Sequence, residues 1–269
     1  MVPTLALSNI ALPPRDHAAL FPAVAALGVA GIEVAPSRVW PGVGPSVGGA
    51  QAAVYRRAVE GAGMTIVGLH SLFFERPDLG LFKPEARAAT LDFLVDLSAL
   101  CRDLGGRTLI WGGGRRRGTV AHKDAIAESI RFLTELCPRI EGHGTRLCFE
   151  PLGPRDSDFI NSAFEAIEIA NAVDHPAFAV QLDAKALHEN DEDDLATFVA
   201  AQKYLIHFHA NQPGLGRLDQ GPVDQRKMGD FLRHIGYDGF ITIEQRMLNE
   251  SDPMSDIRRS VAVLKECYA

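Results

Sequence analysis

The chain has 269 residues, of which 46% are apolar and 23% charged, ordinary values for a globular protein with a sizeable core. Its formal net charge of −7 argues against a nucleic-acid partner, because such partners usually require a basic surface. No apolar run approaches the roughly 18 residues of a membrane span and the amino terminus lacks the basic segment of a signal peptide, so we expect a cytoplasmic protein with no membrane partner.

Short strand patterns alternate with longer helical patterns along the whole chain. The predicted strands are residues 4–11, 31–35, 65–72, 108–113, 146–152, 177–183, 205–210 and 239–245. The predicted helices are residues 18–27, 51–61, 84–104, 120–141, 162–173, 191–202, 224–235 and 254–266. Residues 36–49 are rich in Pro, Gly and Ser, which predicts a loop.

These patterns make eight βα units with no change of composition between them, so we predict one domain over residues 1–269. Repeated βα units build either a doubly wound sheet or an eightfold barrel. The chain length and the lack of a GxGxxG motif after the first strand favour the barrel. The sequence therefore predicts the α/β class and a single (β/α)8 TIM barrel.

The last four predicted strands each deliver a metal-ligand side chain at the carboxyl-terminal end. The four residues are Glu150, Asp183, His209 and Glu244. Active residues of a TIM barrel lie at this end of the strands. We therefore expect these four side chains to meet at one rim of the barrel.

Side chains alternate between the two faces of a strand, so the residues before these four have predictable directions. Small or polar residues would point inward one layer below the rim, and they are Cys148, Gln181, His207 and Thr242. Large apolar residues would pack under the outer helices, and they are Phe149, Leu182, Phe208 and Ile243. The alternation predicts a polar inner layer on four consecutive strands.

Three carboxylates and one imidazole so close together would repel one another unless a cation neutralised them. This ligand set suits one divalent ion, with Mn²⁺ favoured and Mg²⁺, Co²⁺, Zn²⁺ and Fe²⁺ as alternatives. Such an ion can polarise two adjacent oxygens of a hydroxy-ketone and stabilise an enediolate. Glu150 and Glu244 approach it from different strands, so they could remove and return a proton on opposite faces of the substrate.

Four segments, FEPLG, VQLDA, HFHANQPGLGR and ITIEQR, occur in this order with spacings that resemble the xylose-isomerase-like barrel superfamily. The most similar branch comprises the sugar and sugar-phosphate isomerases and epimerases. It includes ketose 3-epimerases, hydroxypyruvate isomerase and inosose dehydratase, with endonuclease IV-type repair enzymes as more distant relatives. The resemblance covers nearly the whole chain and implies a small carbohydrate substrate.

The resemblance implies that Glu150, Asp183, His209 and Glu244 bind the metal and that Glu150 and Glu244 are the acid–base pair. It also implies substrate contacts for Arg217, which follows the seventh strand, and for Asp156. Ketose epimerases usually have a histidine three residues after the strand-six aspartate, but this chain has Ala186. The nearest histidine is His188, so either the loop is rearranged or the substrate differs.

Other side chains of the predicted rim have two interpretations each. His70 ends the third strand, where the superfamily often has a pocket histidine, although it could instead anchor a loop. Glu33 ends the second strand and could bind a substrate hydroxyl or pair with Arg38. Trp111 could form an apolar wall for a sugar or pack in the core. His207 is interpreted as a supporting or core histidine rather than a ligand.

The segment GGGRRRG, residues 112–118, follows the fourth strand at the same rim. Glycine amides and arginines suit a phosphate or carboxylate, and the alternative is a solvated flexible loop. An anion site here would favour a phosphorylated or acidic substrate.

The sequence thus favours a metal-dependent isomerase or epimerase of a sugar, a sugar phosphate or a related hydroxy-ketone. A dehydratase or lyase on a keto-sugar or inosose would use the same residues. An AP-endonuclease-like phosphodiesterase would need a histidine at the end of strand four, where the chain has Trp111 and Gly112. A barrel that only binds a metabolite is the fourth alternative. The oligomeric state is open, with a homodimer and a homotetramer as alternatives.

Overall fold

The computed structural model describes residues 3–268, which form one closed barrel of eight parallel strands surrounded by helices. The last strand pairs with the first and closes the barrel. The strands are β1 (Thr4–Ser8), β2 (Gly31–Val34), β3 (Thr65–Leu69), β4 (Thr108–Trp111), β5 (Arg146–Phe149), β6 (Phe178–Asp183), β7 (Leu205–Ala210) and β8 (Phe240–Ile243). The predicted fold class is confirmed. The predicted domain span of 1–269 includes residues 1, 2 and 269, which lie outside the described residues.

Helices and short turns fill the connections between the strands. The helices are α1 (Phe21–Ala26), α2 (Pro36–Val39), α3 (Gly49–Gly61), α4 (Arg87–Leu104), α5 (His122–Ile140), α6 (Ala163–Val173), α7 (Ala184–Glu189), α8 (Leu195–Ala201), α9 (Gln225–His234) and α10 (Pro253–Tyr268). Single 3-10 turns are Asn9–Ala11, His17–Leu20, Gly44–Ser46, Pro84–Ala86, Glu141–His143 and Pro213–Leu215. The predicted loop 36–49 therefore contains one short helix and one such turn.

The long helix α4 shows why these segments cover the barrel. Its buried residues include Leu94, Leu97, Cys101 and Leu104, which recur every three or four positions and form one apolar face. The helix ends where Gly105 takes a φ of +87° and its N–H bonds back to the last turn. A left-handed conformation of this kind favours glycine, so the GG signal predicted the helix end correctly.

The region after β6 differs from the prediction of one helix over residues 191–202. The structure has two shorter helices, and an aspartate side chain begins each of them. Asp183 accepts a hydrogen bond from Ala186 N at 2.8 Å at the start of α7. Asp194 accepts one from Thr197 N at 2.9 Å at the start of α8. These capping bonds fix both helix starts, because they satisfy amide groups that lack a partner within the helix.

One apolar cluster lies on each face of the strands. The outward layer joins the helices in the main core and contains the predicted set Phe149, Leu182, Phe208 and Ile243. A small separate cluster of Ile110, Cys148 and Ala179 is the apolar part of the barrel interior. Gln181, His207 and Thr242 are fully buried like Cys148. The predicted alternation of large apolar and small or polar residues therefore matches the two layers.

Among residues 3–268, no helix is both long and apolar enough to cross a bilayer. The four cysteines are free and buried: Cys101, Cys137, Cys148 and Cys267. The fold therefore depends on its apolar layers, since none of these thiols is joined in a disulfide.

Candidate active site

Glu150, Asp183, His209 and Glu244 meet at the carboxyl-terminal end of the barrel. One ligand atom from each lies within 4.8 Å of the others. They come from the ends of β5 to β8, which are adjacent in the sheet. The His209 ring is fully buried, and the Glu244 side chain keeps 15% exposure, so the cluster opens to solvent on the Glu244 side.

The cluster is arranged around one ring nitrogen of His209. Its Nδ1 lies 3.2 Å from Glu150 Oε1, 3.5 Å from Glu244 Oε2 and 3.7 Å from Asp183 Oδ2. Nδ1 is buried and makes no hydrogen bond of acceptable geometry. Three carboxylate oxygens and one unpartnered imidazole nitrogen form a donor set that fits a divalent cation.

Burial and charge displace the pKa values of the two glutamates in opposite directions. Burial raises the pKa of Glu150, and the charges of Glu244 and Asp183 add to that effect against the opposing influence of His209. Burial also disfavours ionised Glu244, but the charges of His209 and His70 outweigh it and hold the pKa of Glu244 below its ordinary value. Carboxyl groups with separated pKa values are suited to acid and base roles.

His209 carries the compensating charge when no cation is bound. Burial alone would lower its pKa, but Glu33 and Glu244 outweigh burial and raise the pKa of His209 well above its ordinary value. A cation at Nδ1 requires the deprotonated nitrogen, so binding would release a proton. Metal and proton therefore compete for the same place.

Asn211 is a candidate site residue that the sequence analysis did not identify. It is fully buried, and its Nδ2 donates to Asp183 Oδ2 at 2.5 Å and to Glu244 Oε2 at 3.0 Å. Its Oδ1 accepts from Lys185 N at 2.8 Å. The available signal was its position two residues after His209, which gives it the same direction on an extended chain. Asn211 therefore links two of the four candidate ligand side chains by hydrogen bonds.

His70 lies beside the cluster, directly after β3. Its Nδ1 is 3.5 Å from Glu244 Oε1, and its Nε2 is 2.7 Å from Ser8 Oγ. The ring is 1% exposed. His70 is thus in position to orient Glu244.

Glu33 contacts two histidines and does not reach Arg38. Its Oε2 lies 2.9 Å from His209 Nε2, and its Oε1 lies 3.0 Å from His207 Nε2. All three side chains are fully buried. Arg38 instead donates to the carbonyl oxygen of Leu12 at 2.7 and 3.1 Å. The structure therefore does not form the predicted alternative of an ion pair between Glu33 and Arg38.

The first turn of α7, directly after β6, places Lys185 beside Asp156. Lys185 Nζ pairs with Asp156 Oδ2 at 2.5 Å, and the lysine side chain is 15% exposed. Ala186 is buried, while His188 is half-exposed and lies 3.6 Å from Asp193 Oδ2. The structure therefore brings Asp156 together with Lys185 and leaves His188 further along α7.

Arg217 and Trp111 make contacts within the protein. Arg217 donates to Asp219 Oδ1 at 2.8 Å and lies 3.3 Å from Asp256 Oδ1. The Trp111 ring is fully buried with ring-centroid distances of 5.3 to 5.6 Å to three phenylalanines of the core. These contacts agree with the interpretation that Trp111 packs in the core.

The arginines of the segment 112–118 bind backbone carbonyl groups. Arg115 is 1% exposed and donates to the carbonyl oxygens of Gly112, Phe159 and Glu150. Burial lowers the pKa of Arg115 to about 10. Arg116 donates to the carbonyl of Asp156 at 2.8 Å. These guanidinium groups connect the loop after β4 to the loop after β5 by hydrogen bonds. The N–H groups that donate to these carbonyl oxygens are not free to bind an anion.

A cavity opens at the opposite end of the barrel. Its volume is about 800 Å³, and the starts of several strands line it together with Arg107, Glu141 and Arg146. It lies away from the carboxylate cluster. The chemistry of the four convergent ligands, rather than cavity size, identifies the candidate active site.

Residues 21–267 match the family described as xylose isomerase-like TIM barrel. The chain belongs to this family, and the predicted resemblance is confirmed. A D-psicose 3-epimerase from Ruminiclostridium cellulolyticum is 28% identical over 128 residues, which is 47% of this chain and 43% of that protein. The sequence match thus spans less than half the length of that relative.

Solved structures show the same fold over nearly the full chain. D-psicose 3-epimerase from Clostridium cellulolyticum H10, with D-tagatose, has a TM-score of 0.82 at 19% identity and 98% coverage of both chains. The 3-keto-D-glucoside 4-epimerase YcjR from E. coli has a TM-score of 0.82 at 18% identity, with 98% of this chain and 100% of that chain covered. The probable 3-DHS dehydratase AsbF from Bacillus anthracis has a TM-score of 0.76 at 13% identity, with 97% and 98% covered.

Proposed function

We propose that the protein is a divalent-metal-dependent isomerase or epimerase of a sugar, a sugar phosphate or a related hydroxy-ketone. The observation that carries this proposal is the convergence of three carboxylate oxygens, 3.2 to 3.7 Å away, on the unpartnered Nδ1 of His209. The sugar epimerases among the relatives support the same class of reaction. The four free, buried cysteines support a cytoplasmic location.

Glu150, Asp183, His209 and Glu244 would hold the cation. When bound, it supplies Lewis-acid polarisation of two adjacent oxygens of a hydroxy-ketone. Mostly oxygen donors with one imidazole favour Mn²⁺, with Mg²⁺, Co²⁺, Zn²⁺ and Fe²⁺ as alternatives. Asn211 keeps Asp183 and Glu244 oriented through its two donated hydrogen bonds.

Proton transfer is assigned to Glu150 and Glu244. They follow β5 and β8, with β6 and β7 between them, so they face a substrate from different sides. In the metal-free site the pKa of Glu150 is raised by burial and that of Glu244 is lowered by the neighbouring histidines, and this separation suits the two carboxyl groups to different steps of proton transfer. A proton removed on one face and returned to the same carbon on the other face inverts that centre, whereas return to the neighbouring carbon isomerises the substrate.

Substrate contacts are assigned to the polar groups around the mouth of the barrel. Asp156 and Lys185 form an ion pair there, and each could exchange its partner for a substrate hydroxyl. His70, His188 and Arg217 are the further candidates. We do not assign Glu33 or Trp111 to the substrate, because both side chains are fully buried against other parts of the protein.

A dehydratase or lyase is the second candidate. Ala186 stands where ketose epimerases usually have a histidine, and the ammonium group of Lys185 lies close by. A cation at this place suits a leaving hydroxyl, because it offsets developing negative charge. Both candidates begin with the same proton removal.

The test combines metal removal with product analysis. The protein is stripped with a chelator, reloaded with Mn²⁺ and incubated with a panel of ketoses in deuterated water. We expect NMR to show deuterium at the reacting carbon. We expect mass spectrometry to show that substrate and product differ in mass only by the exchange of hydrogen for deuterium. Loss of one water would favour the dehydratase. Full turnover after complete metal removal would contradict the proposal.

Asp183→Asn is the matched variant. Asparagine still caps a helix, so α7 should keep its start. The variant lacks one carboxylate of the cluster, so we expect weaker Mn²⁺ binding with unchanged secondary structure. Titration calorimetry and circular dichroism measure the two properties separately.

A further inference from the structure

We infer that Glu33 is a positioning residue that orients the His209 imidazole so that Nδ1, and not Nε2, is the metal-binding nitrogen. The inference rests on the proposed function, since it concerns the same cluster. Glu33 is not one of the four candidate ligands. Its contact with His209 determines which ring nitrogen of His209 faces the other three.

The contact between Glu33 and His209 crosses the inside of the barrel. Glu33 belongs to β2 and His209 to β7, and β1 and β8 lie between these strands in the closed sheet. Even so, Glu33 Oε2 and His209 Nε2 are 2.9 Å apart, and both side chains have 0% exposure. No solvent competes for this hydrogen bond.

The direction of the hydrogen bond follows from the chemistry of the two groups. An ionised carboxylate only accepts, so the proton must lie on Nε2 of His209 and be donated to Glu33. In the neutral imidazole this leaves the lone pair on Nδ1. Nδ1 is the nitrogen that faces the oxygens of Glu150, Glu244 and Asp183.

His207 is the second close neighbour of the Glu33 carboxylate. Its Nε2 lies 3.0 Å from Glu33 Oε1, the oxygen that His209 does not use. The two imidazole rings are nearly perpendicular, at 85°, with centroids 5.1 Å apart. The carboxylate therefore lies between two rings of one strand, and its hydrogen bond goes to His209 and not to His207.

A different interpretation is a second metal site formed by Glu33, His207 and His209, whose ligand atoms also lie within 4.8 Å of one another. In that case His209 would bridge two ions through its two nitrogens. The two interpretations predict different stoichiometries, one or two ions per chain. The positioning role requires one.

The first measurement uses the unmodified protein loaded with Zn²⁺, which is diamagnetic. Labelling with ¹⁵N-histidine distinguishes a metal-bound ring nitrogen from a protonated one by NMR. We expect His209 to show metal-bound Nδ1 and protonated Nε2. Metal-bound Nε2, or two ions per chain in the matching metal analysis, would overturn the inference without any variant.

The second measurement is the Mn²⁺ affinity of Glu33→Gln. Glutamine has nearly the same shape but no charge, and groups that orient a metal-binding histidine typically contribute about 10- to 100-fold in metal affinity. We expect the dissociation constant to rise by about that factor. Thermal unfolding of the metal-free variant establishes that it folds. A folded variant with unchanged affinity would contradict the inference.

Two control variants show whether a loss of Mn²⁺ affinity is specific to the contact between Glu33 and His209. Glu60→Gln removes a carboxylate that pairs with Arg56 on the surface, and it should leave Mn²⁺ affinity unchanged. His207→Gln removes the other contact of Glu33 but keeps the Glu33–His209 hydrogen bond, so we expect a smaller loss than for Glu33→Gln. If the unmodified protein binds no metal, the proposed function fails; if it binds metal and Glu33→Gln binds equally well, only the positioning role fails.

Discussion

The two ends of the barrel differ in how their polar groups are arranged. The carboxyl-terminal end brings Glu150, Asp183 and Glu244 onto one nitrogen of His209. The amino-terminal end has a cavity of about 800 Å³, but its charged lining residues Arg107, Glu141 and Arg146 do not form such a cluster. Within residues 3–268, both groups of three or more potential metal ligands include His209.

The two ends therefore differ in how closely their charged groups converge. Charged groups packed together in a buried place are unfavourable unless they bind or pair with something. The exposed arginines at the other end have no such constraint, since water solvates them.

The largest expected effect is on turnover. Glu244→Gln keeps the shape of the side chain but removes the proposed base, so we expect kcat to fall by at least about 10³-fold. Initial rates on the substrate identified by the ketose panel measure this. Glu141→Gln, at the other end of the barrel, is the matched control and should keep its rate. Full activity in Glu244→Gln would show that this carboxylate transfers no proton.

A large effect on stability is expected at the loops that frame the active end. Arg115→Met removes a buried guanidinium group that donates to three carbonyl groups of two loops. Leaving buried carbonyl groups without partners should lower the free energy of unfolding by about 3 kcal/mol. Urea unfolding measures the change, with the exposed Arg131→Met as control. A change as small as in the control would mean that the loops are held by other contacts.

A smaller effect concerns pH and a residue outside the ligand cluster, in the connection between β1 and α1. His17 is buried, its Nδ1 bonds to the Pro13 carbonyl and its Nε2 to Tyr55 Oη at 2.8 Å. Burial lowers the pKa of His17, so the unfolded chain binds more protons than the folded chain below about pH 6.5. Stability should therefore fall as the pH drops below that value.

His17→Gln tests this dependence. The variant should be less stable at neutral pH, but its free energy of unfolding should fall less steeply between about pH 6.5 and 5 than that of the parent. Chemical unfolding at several pH values gives both curves. Parallel curves would assign the acid sensitivity to other groups.

The smallest effect is expected at the amino-terminal cavity. Arg107→Gln removes an exposed charge from its lining, and surface changes of this kind usually alter stability by less than about 0.5 kcal/mol. We expect kcat/KM within about twofold of the parent, because no proposed reaction step uses this end. A tenfold loss would show that the two ends are coupled.

The sequence predicted the barrel because each strand and helix carries its own local signal. It also predicted which residues would meet, since the ends of parallel strands share one rim and alternation fixes direction. Pairing across the barrel was not predictable in this way. Glu33 and His209 are 176 positions apart, and no local pattern indicates that their side chains touch. Asp194 was likewise not recognised as the start of a helix, because several acidic residues precede α8 and only one of them caps it.

The buried cysteines give this protein a built-in set of reporters. Burial raises the pKa of all four thiols, so in the folded state each is protonated and shielded from alkylating reagents. Cys148 lies inside the barrel, whereas Cys267 lies on the final helix. The order in which the two become alkylated would therefore reveal whether that helix detaches before the strands separate.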